Sequence, residues 1–328
     1  MRRKARLLYI LLALLMMAAP ATGLLRAAGP FSWRAADAYV QEHLALKDPL
    51  ISLHARLCEA LWGETGNAQV IRGRDGWLFF SETMRDYFHR GDVPDAAIEG
   101  VADRLLRLSE ALAADGARLV FLCAPNKNTI YPERMPAHLA PADGPDTLTR
   151  LHGALSARGV LVVDARAALL AEKARGPLYL RTDTHWNALG ALTVYRALAE
   201  ALALSERYGD LAWETDVPVA GDLSVLYDPR AAVTEWDARP VLRDAYAVEG
   251  PMRSVSDMFI RTRGAPEGPR LYVMRDSFGE ALFPYLAGAS GAMVFTRVYA
   301  WSPEDLAMDG ADYVVLEIAE RNLMDLLE

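Results

Sequence analysis

The sequence predicts an α/β protein built on a parallel sheet with helices on both faces. Short, wholly apolar runs such as RLVFLCA (118–124) and VLVVDA (160–165) have the composition of strands buried on both sides. Segments of helical periodicity separate them, which is the alternation that parallel sheets require. Of the 328 residues, 52% are hydrophobic and 24% charged, enough apolar surface for one large domain and too much for a disordered chain. The net charge of −8 argues against a nucleic-acid partner, which calls for a basic face.

The chain opens MRRKAR, and Leu7 to Leu25 then run without a charge. A basic flank before an apolar run of about 20 residues is an export signal. Ala19-Pro20-Ala21 offers a small-residue cleavage site, but the apolar run continues past it. Residues 1–29 are therefore expected to be an uncleaved anchor, with the basic flank in the cytoplasm and the rest outside. No other run is long enough to span a bilayer, which excludes a multi-span protein. Residues 33–62 read as two helices broken at Lys47-Asp48-Pro49, where Asp caps and Pro starts a helix. In VIRGRDGWLFF (70–80), two apolar runs flank Gly73-Arg74-Asp75-Gly76, which is hairpin chemistry. Ile98, Val101, Leu105, Leu108 and Leu112 make 94–115 an amphipathic helix, stopped by Gly116.

Beyond this point strands are expected at 118–124, 160–165, 270–276, 292–300 and 311–319. Helices are expected at 145–158, 166–175, 187–204, 277–287, near 303–307 and at the C-terminus. Residues 205–268 break the rhythm and read as an insertion over the edge or top of the sheet, within a domain spanning 30–328. Cys58 and Cys123 are too few for a disulfide scaffold. They can pair in an oxidising compartment, but an amphipathic helix and a buried strand favour two buried thiols.

Open α/β sheets bind ligands beyond the carboxyl ends of their strands. Just past those ends stand Asn126 and Lys127, then RTDTHWN (181–187), Ser277, Arg297, and finally Glu320-Arg321-Asn322. Ser277 lies where a strand becomes a helix, beside amides that suit an oxyanion. Plain N-capping is the competing reading. A serine needs a base, and an imidazole steadied by a carboxylate is such a base, so His185 and Asp183 are its candidate partners. Against this, Asp183 or Asn187 can simply cap the next helix. A metal site at this pair lacks an evident third ligand. Lys127 suits an acidic substrate, and Trp186, Tyr131 and Trp301 suit stacking on sugar rings, although tryptophan more often packs.

The segments GRDGWLFF (73–80), APNKNTIYPERMP (124–136), DTHWN (183–187) and RDSFGEAL (275–282), in this order, resemble the alginate O-acetyltransferase family of the AlgJ/AlgX type, DHHW-like proteins related to the SGNH hydrolases. The resemblance covers roughly residues 35–325. It implies an SGNH-hydrolase-like, flavodoxin-like sheet in circularly permuted order, since Asp183 and His185 precede Ser277. It implies Ser277 as nucleophile, His185 as base, Asp183 as its orienting acid and Asn322 as an oxyanion donor in the place of the family's asparagine block. Arg275-Asp276 before the serine departs from the Gly and small polar residue of many members. The implied activity is acetyl transfer through an acyl-serine to hydroxyls of an exported polysaccharide in the periplasm. The implied partners are that polysaccharide and a membrane-bound O-acyltransferase as acetyl donor, with no cofactor and no metal. A carbohydrate deacetylase with the same residues, and a non-catalytic polysaccharide-binding protein, are the alternatives.

Overall fold

The computed structural model describes residues 47–327, apart from 64, 89–91, 206–207, 231, 243–244, 303–305 and 307–309. The expected N-terminal anchor, the first of the two N-terminal helices and most of the helix near 303–307 lie outside the described residues. Among those described, no helix is long and apolar enough to cross a membrane.

The chain divides into two compact units. In the smaller, the helix Lys47–Trp62 is joined to residues 227–230 by hydrogen bonds. Tyr227 Oη donates to Glu59 Oε2 at 2.6 Å, and the Arg230 amide donates to Ser52 Oγ at 3.3 Å.

The larger unit, residues 68–226 and 233–328, carries everything else. It begins with a hairpin of β1 (Val70–Arg72) and β2 (Leu78–Phe80). Asp75 and Gly76 both take positive φ, and the Trp77 amide closes the turn on Arg74 O, which is why an Asp-Gly pair stands there. The helix Asp95–Ala114 comes next and ends at Gly116, whose φ is +83°.

The main sheet then forms from β3 (Arg118–Ala124), β4 (Leu161–Val163), β7 (Ala247–Glu249), β8 (Phe259–Arg263), β9 (Arg270–Met274), β10 (Ala292–Thr296) and β11 (Tyr313–Ala319). Its order is β4-β3-β11-β9-β10-β8-β7. The first five strands are mutually parallel, while β8 and β7 extend the edge antiparallel. The remaining pair, β5 (Trp213–Ala220) and β6 (Thr234–Pro240), forms a separate antiparallel ribbon.

The apolar strands feed two cores. Val120, Leu122 and Ala124 face helices Ala165–Glu172, Ala188–Ala201 and Phe283–Ala289; Leu119, Phe121 and Cys123 face helices Asp95–Ala114 and Thr147–Ala157. Period-two alternation thus loads both faces, so neither face needs polar residues. Both cysteines are buried free thiols, and burial pushes the Cys123 thiol well up.

Two elements differ from expectation. The strand expected to 300 ends at Thr296, whose hydroxyl turns to donate to Met258 O. The helix expected over 277–287 is a short 3-10 turn, Phe278–Ala281, and then the helix Phe283–Ala289. Pro284 has no N–H to continue the first turn, so the helix restarts at its own first turn.

Candidate active site

Parallel register brings the predicted ends together. Ala319 of β11 pairs with Ala124 of β3, and Met274 of β9 pairs with both Leu316 of β11 and Thr296 of β10. The segments beginning at Pro125, Arg275, Arg297 and Glu320 therefore leave one edge of one sheet.

Ser277 occupies the turn after β9. It precedes the 3-10 helix, but its side chain makes no capping bond. The hydroxyl lies 2.8 Å from His185 Nε2. The other ring nitrogen, Nδ1, lies 2.7 Å from Asp183 Oδ1, which also accepts the His185 amide at 2.8 Å. Asp183 Oδ2 accepts the Asp222 amide at 2.9 Å. Burial pushes the Asp183 carboxyl up, but these hydrogen bonds and the neighbouring imidazole overcome it and hold the group below its ordinary range. Helix capping falls to Asn187, whose side chain accepts the Gly190 amide, so Asp183 is left for the imidazole.

The loop carrying Asp183 and His185 is held at many points. A bridge between Tyr179 and Trp186 closes its base. Gly190 allows the next helix to pass close by, since a Cβ there would stand 2.2 Å from Leu178 O. Glu235 accepts the Thr182 amide and hydroxyl, each at 2.6 Å. Lys127 is buried, and its ammonium donates to the carbonyls of Leu180, Arg181 and Asp183. Burial drives it down to about 7, against the opposing pull of Asp183, Asp222 and Glu235. Three acceptors match the three N–H donors of the charged form.

The turn itself is braced by acids. Asp276 accepts the amides of Phe278 and Ala319 and the side-chain amide of Asn322 at 2.9, 2.7 and 3.1 Å. The Asp276 amide donates to Glu317 Oε2 at 3.0 Å. Burial, then the charge of Asp276, raises Glu317 well above the ordinary carboxyl range. Arg275 is fully buried. It donates to Asp276 O, Glu280 and the carbonyls of Val255 and Asp257, which ties the segment before β8 to the serine turn.

The weaker candidates separate. Asn322 stays at the turn, with one N–H given to Asp276. Asn126 is buried, donates its amide to Glu320 and leaves its Oδ1 unpaired. It lines a 310 Å³ cavity with Arg321 and Glu320. Lys127 is engaged by the loop carbonyls and has no ammonium to offer an acidic substrate. Trp186 is packed edge-on against Phe278 at 5.0 Å, so it is no sugar platform. Tyr131 is likewise buried, whereas Arg297 is exposed beyond β10.

Three contributors were not singled out from the sequence, although Thr184 lies within DTHWN and Phe278 within RDSFGEAL. The Phe278 ring packs against His185 at a tilt of 54°, with centroids 4.8 Å apart. Thr184 Oγ1 lies 3.1 Å from His185 Nδ1 and donates to Asp222 Oδ2 at 2.6 Å. Asp222 Oδ2 stands 3.7 Å from the same nitrogen. Asp222 lies 37 positions from His185 in a segment without strand-end logic, so spacing gave no means of finding it. Metal-capable donor atoms of Asp183, His185 and Asp222 lie within 4.8 Å of one another, as do those of Asp86, Asp146 and Glu320. In both groups the carboxylates already accept protein N–H or O–H donors, and Arg166 pairs with Asp146 and Glu320 in the second. Such saturated acids suit a hydrogen-bond network better than an open metal site.

Residues 70–260 match the family model described as the SGNH hydrolase-like domain of the acetyltransferase AlgX. The chain is 30% identical over 247 residues to a probable alginate O-acetylase AlgJ of Pseudomonas syringae pv. tomato, covering 68% of this chain and 61% of the relative. It is 33% identical over 168 residues to the AlgJ of Pseudomonas aeruginosa, covering 49% and 40%. The chain thus spans less than two thirds of the length of these relatives. Among solved structures, the O-acetyltransferase domain of Pseudomonas putida AlgJ superposes with a TM-score of 0.54 at 24% identity, over 77% of this chain and 91% of that one. Bacillus cereus PatB1 superposes with a TM-score of 0.60 at 15% identity, over 79% and 98%. These likenesses are to the same fold, an SGNH-like mixed sheet flanked by helices. With more than half its length matched, the chain belongs to the family of AlgX-type SGNH hydrolase-like acetyltransferase domains.

Proposed function

We propose that the chain is an O-acetyltransferase that moves an acetyl group through an acyl-serine to hydroxyls of a polysaccharide outside the cytoplasm. The observation that carries this reading is the unbroken file of contacts from Asp183 through His185 to the Ser277 hydroxyl, at 2.7 and 2.8 Å. The names of the relatives support acetyl transfer to alginate as the kind of reaction.

In this mechanism His185 Nε2 takes the Ser277 proton as Oγ attacks the acetyl carbonyl. Asp183 fixes the tautomer with Nδ1–H and stabilises the imidazolium that forms. The carbonyl oxygen becomes an oxyanion, received by the Ser277 amide and by the second N–H of Asn322, whose first N–H is tied to Asp276. Collapse expels the donor's leaving group, which takes the proton from His185. A sugar hydroxyl then gives its proton to His185 and attacks the acetyl-serine; collapse breaks the bond to Ser277 Oγ, which takes the proton back from His185 as the acetylated sugar leaves. The basic flank and the uncharged run of residues 7–25 support a domain outside the inner membrane, where a membrane-bound O-acyltransferase supplies the acetyl group.

Incubation with a small acetyl ester, then peptide mass spectrometry, tests the covalent step. The expected result is a 42 Da adduct on Ser277, from the mass of the added ketene unit (~42 Da), absent in Ser277→Ala and transferable to an added glycan. An acetyl group found on another residue, or none, overturns the nucleophile. Acetate release unaffected by any glycan acceptor favours a deacetylase.

A further inference from the structure

A second cleft in the larger unit, of 780 Å³, is lined by neither Ser277 nor His185. Its inner wall is aromatic, with Trp77 and Tyr131 packed ring to ring at 4.6 Å. Trp236, from β6, also lines it and keeps 64% of its surface exposed. Around these rings stand Arg134, Lys173, Arg175 and Arg181. The acids of the lining are Asp75, Glu133 and Glu235, and each is taken: Asp75 by Arg134, Glu133 by Lys173, and Glu235 by Arg181 and Thr182. Arg175 meets Glu172, outside the lining, through one nitrogen and is otherwise exposed. Within the lining four cations thus stand against three acids, and Glu172, just outside it, is the partner of Arg175.

An exposed indole face, that of Trp236, beside guanidinium forks forms a particular combination. A flat ring covers the C–H face of a sugar, while the N–H forks bind its hydroxyls and, above all, carboxylates. The volume falls in the range of sites that enclose ligands of several rings, about 300–1,000 Å³. The cleft is connected to the proposed active site through one loop. Leu180 and Arg181 line it, and the same loop continues directly to Asp183 and His185.

We infer that this cleft binds the flanking units of an acidic glycan chain while one unit of the same chain is presented to Ser277. The inference rests on the acetyl-transfer reading for the presented unit, and on the cleft alone for binding. Trp236 stacks on a sugar ring, and Arg175 holds an acidic group. Neither residue is buried, so replacing them leaves the core intact.

The test uses the full chain, with Trp236→Ala and Arg175→Glu as variants and thermal unfolding as the fold control. Binding is read as a change in tryptophan fluorescence on titration with alginate octamers and with neutral dextran oligomers of equal length. Transfer is read as KM for alginate acceptors from dimer to octamer. Each variant is expected to weaken octamer binding by about tenfold. The effect on KM should grow with acceptor length, and salt should weaken octamer binding in the wild type. Unchanged octamer affinity in both variants overturns the inference. So does a loss that is equal for dimer and octamer, or equal binding of dextran. Should the wild type bind octamers through Trp236 and Arg175 yet form no acetyl-serine, the cleft stands and the acetyl-transfer reading falls. An acetyl-serine without any octamer binding has the opposite meaning.

Discussion

Replacing Asp183 by Asn is the most incisive perturbation of the site, because each carboxylate oxygen has a defined duty. Oδ1 accepts the His185 amide and lies 2.7 Å from Nδ1, while Oδ2 accepts the Asp222 amide. An asparagine has one oxygen for these three donors. With that oxygen towards His185, its NH2 faces the Asp222 amide, donor against donor. Turned round, the NH2 faces Nδ1 and forces the imidazole to carry its proton on Nε2, where it cannot accept from Ser277. Either placement leaves a buried donor unmet, at about 1–3 kcal/mol of stability. The second placement also gives the wrong tautomer, which in other Ser-His-Asp enzymes lowers kcat by about 10⁴-fold, or about 5 kcal/mol of barrier. The assay is turnover of a small acetyl ester across pH, beside urea unfolding. In the wild type, the depressed Asp183 carboxyl contributes stability that is present above the ordinary carboxylate range and lost as pH falls through its own lowered value. The variant should lack that acid limb. Activity within tenfold of the wild type, in a folded variant, refutes the assignment of Asp183 as the group that orients His185.

The same contacts set three further outcomes. Asp222→Asn removes the second carboxylate near Nδ1 but keeps an acceptor for the Thr184 hydroxyl, so kcat should fall by about tenfold with KM little changed; a pure KM effect contradicts a role through His185. Lys127→Met takes the ammonium from the Leu180 and Asp183 carbonyls, while Arg181 O keeps the Leu78 amide, and denaturant unfolding should show a loss of about 2 kcal/mol or more together with lowered kcat. Glu317→Gln keeps an acceptor for the Asp276 amide while removing an acid whose proton the folded chain retains and the unfolded chain releases. Wild-type stability should fall as pH rises above the ordinary carboxyl range, a trend that Glu320, raised by burial to about 7, shares up to that value. Above pH 7 Lys127, held low by burial, adds the opposite trend, so the test is the difference between the two proteins: wild-type minus variant stability should fall with rising pH there, and a difference that does not change with pH means that Glu317 is ionised in the folded chain.

The parts of the fold legible in the sequence were those written in local pattern. RLVFLCA became β3 to the residue because both its faces are buried and nothing polar intervenes. Asp-Gly at 75–76 marked its turn because few other residues tolerate two successive positive φ angles. Ser277, His185 and Asp183 were legible as strand-end chemistry. What sequence could not show was how side chains are committed. Lys127 and Trp186 carry the residue types of a substrate site, yet one is consumed by backbone carbonyls and the other by Phe278. Asp222 and Glu317 were invisible for the opposite reason. Their positions carry no motif, and only tertiary packing puts one beside the imidazole and the other beneath the serine turn.

The permuted chain order has a physical explanation in the sheet rather than in the motifs. β11 is last in the chain, yet it lies between β3 and β9 and pairs in parallel with both. Its carboxyl end delivers Glu320 to Asn126 and Arg166 on one side, and places Asn322 and the Ala319 amide on Asp276 on the other. The strand therefore fastens the Ser277 turn to the segment that carries Lys127, and Lys127 in turn holds the loop of Asp183 and His185. Geometry at Ser277 depends on which strand ends are neighbours, not on the order in which the chain reaches them. Removing residues from Tyr313 onward deletes the central strand of the parallel sheet and the contacts of Glu317 and Glu320 at once, whereas the antiparallel strands β7 and β8 lie at the edge, and it is the segment between them that holds Arg275 through the carbonyls of Val255 and Asp257. The site is accordingly most sensitive to β11, so acetyl-serine formation should require this strand complete even where the rest of the chain remains soluble.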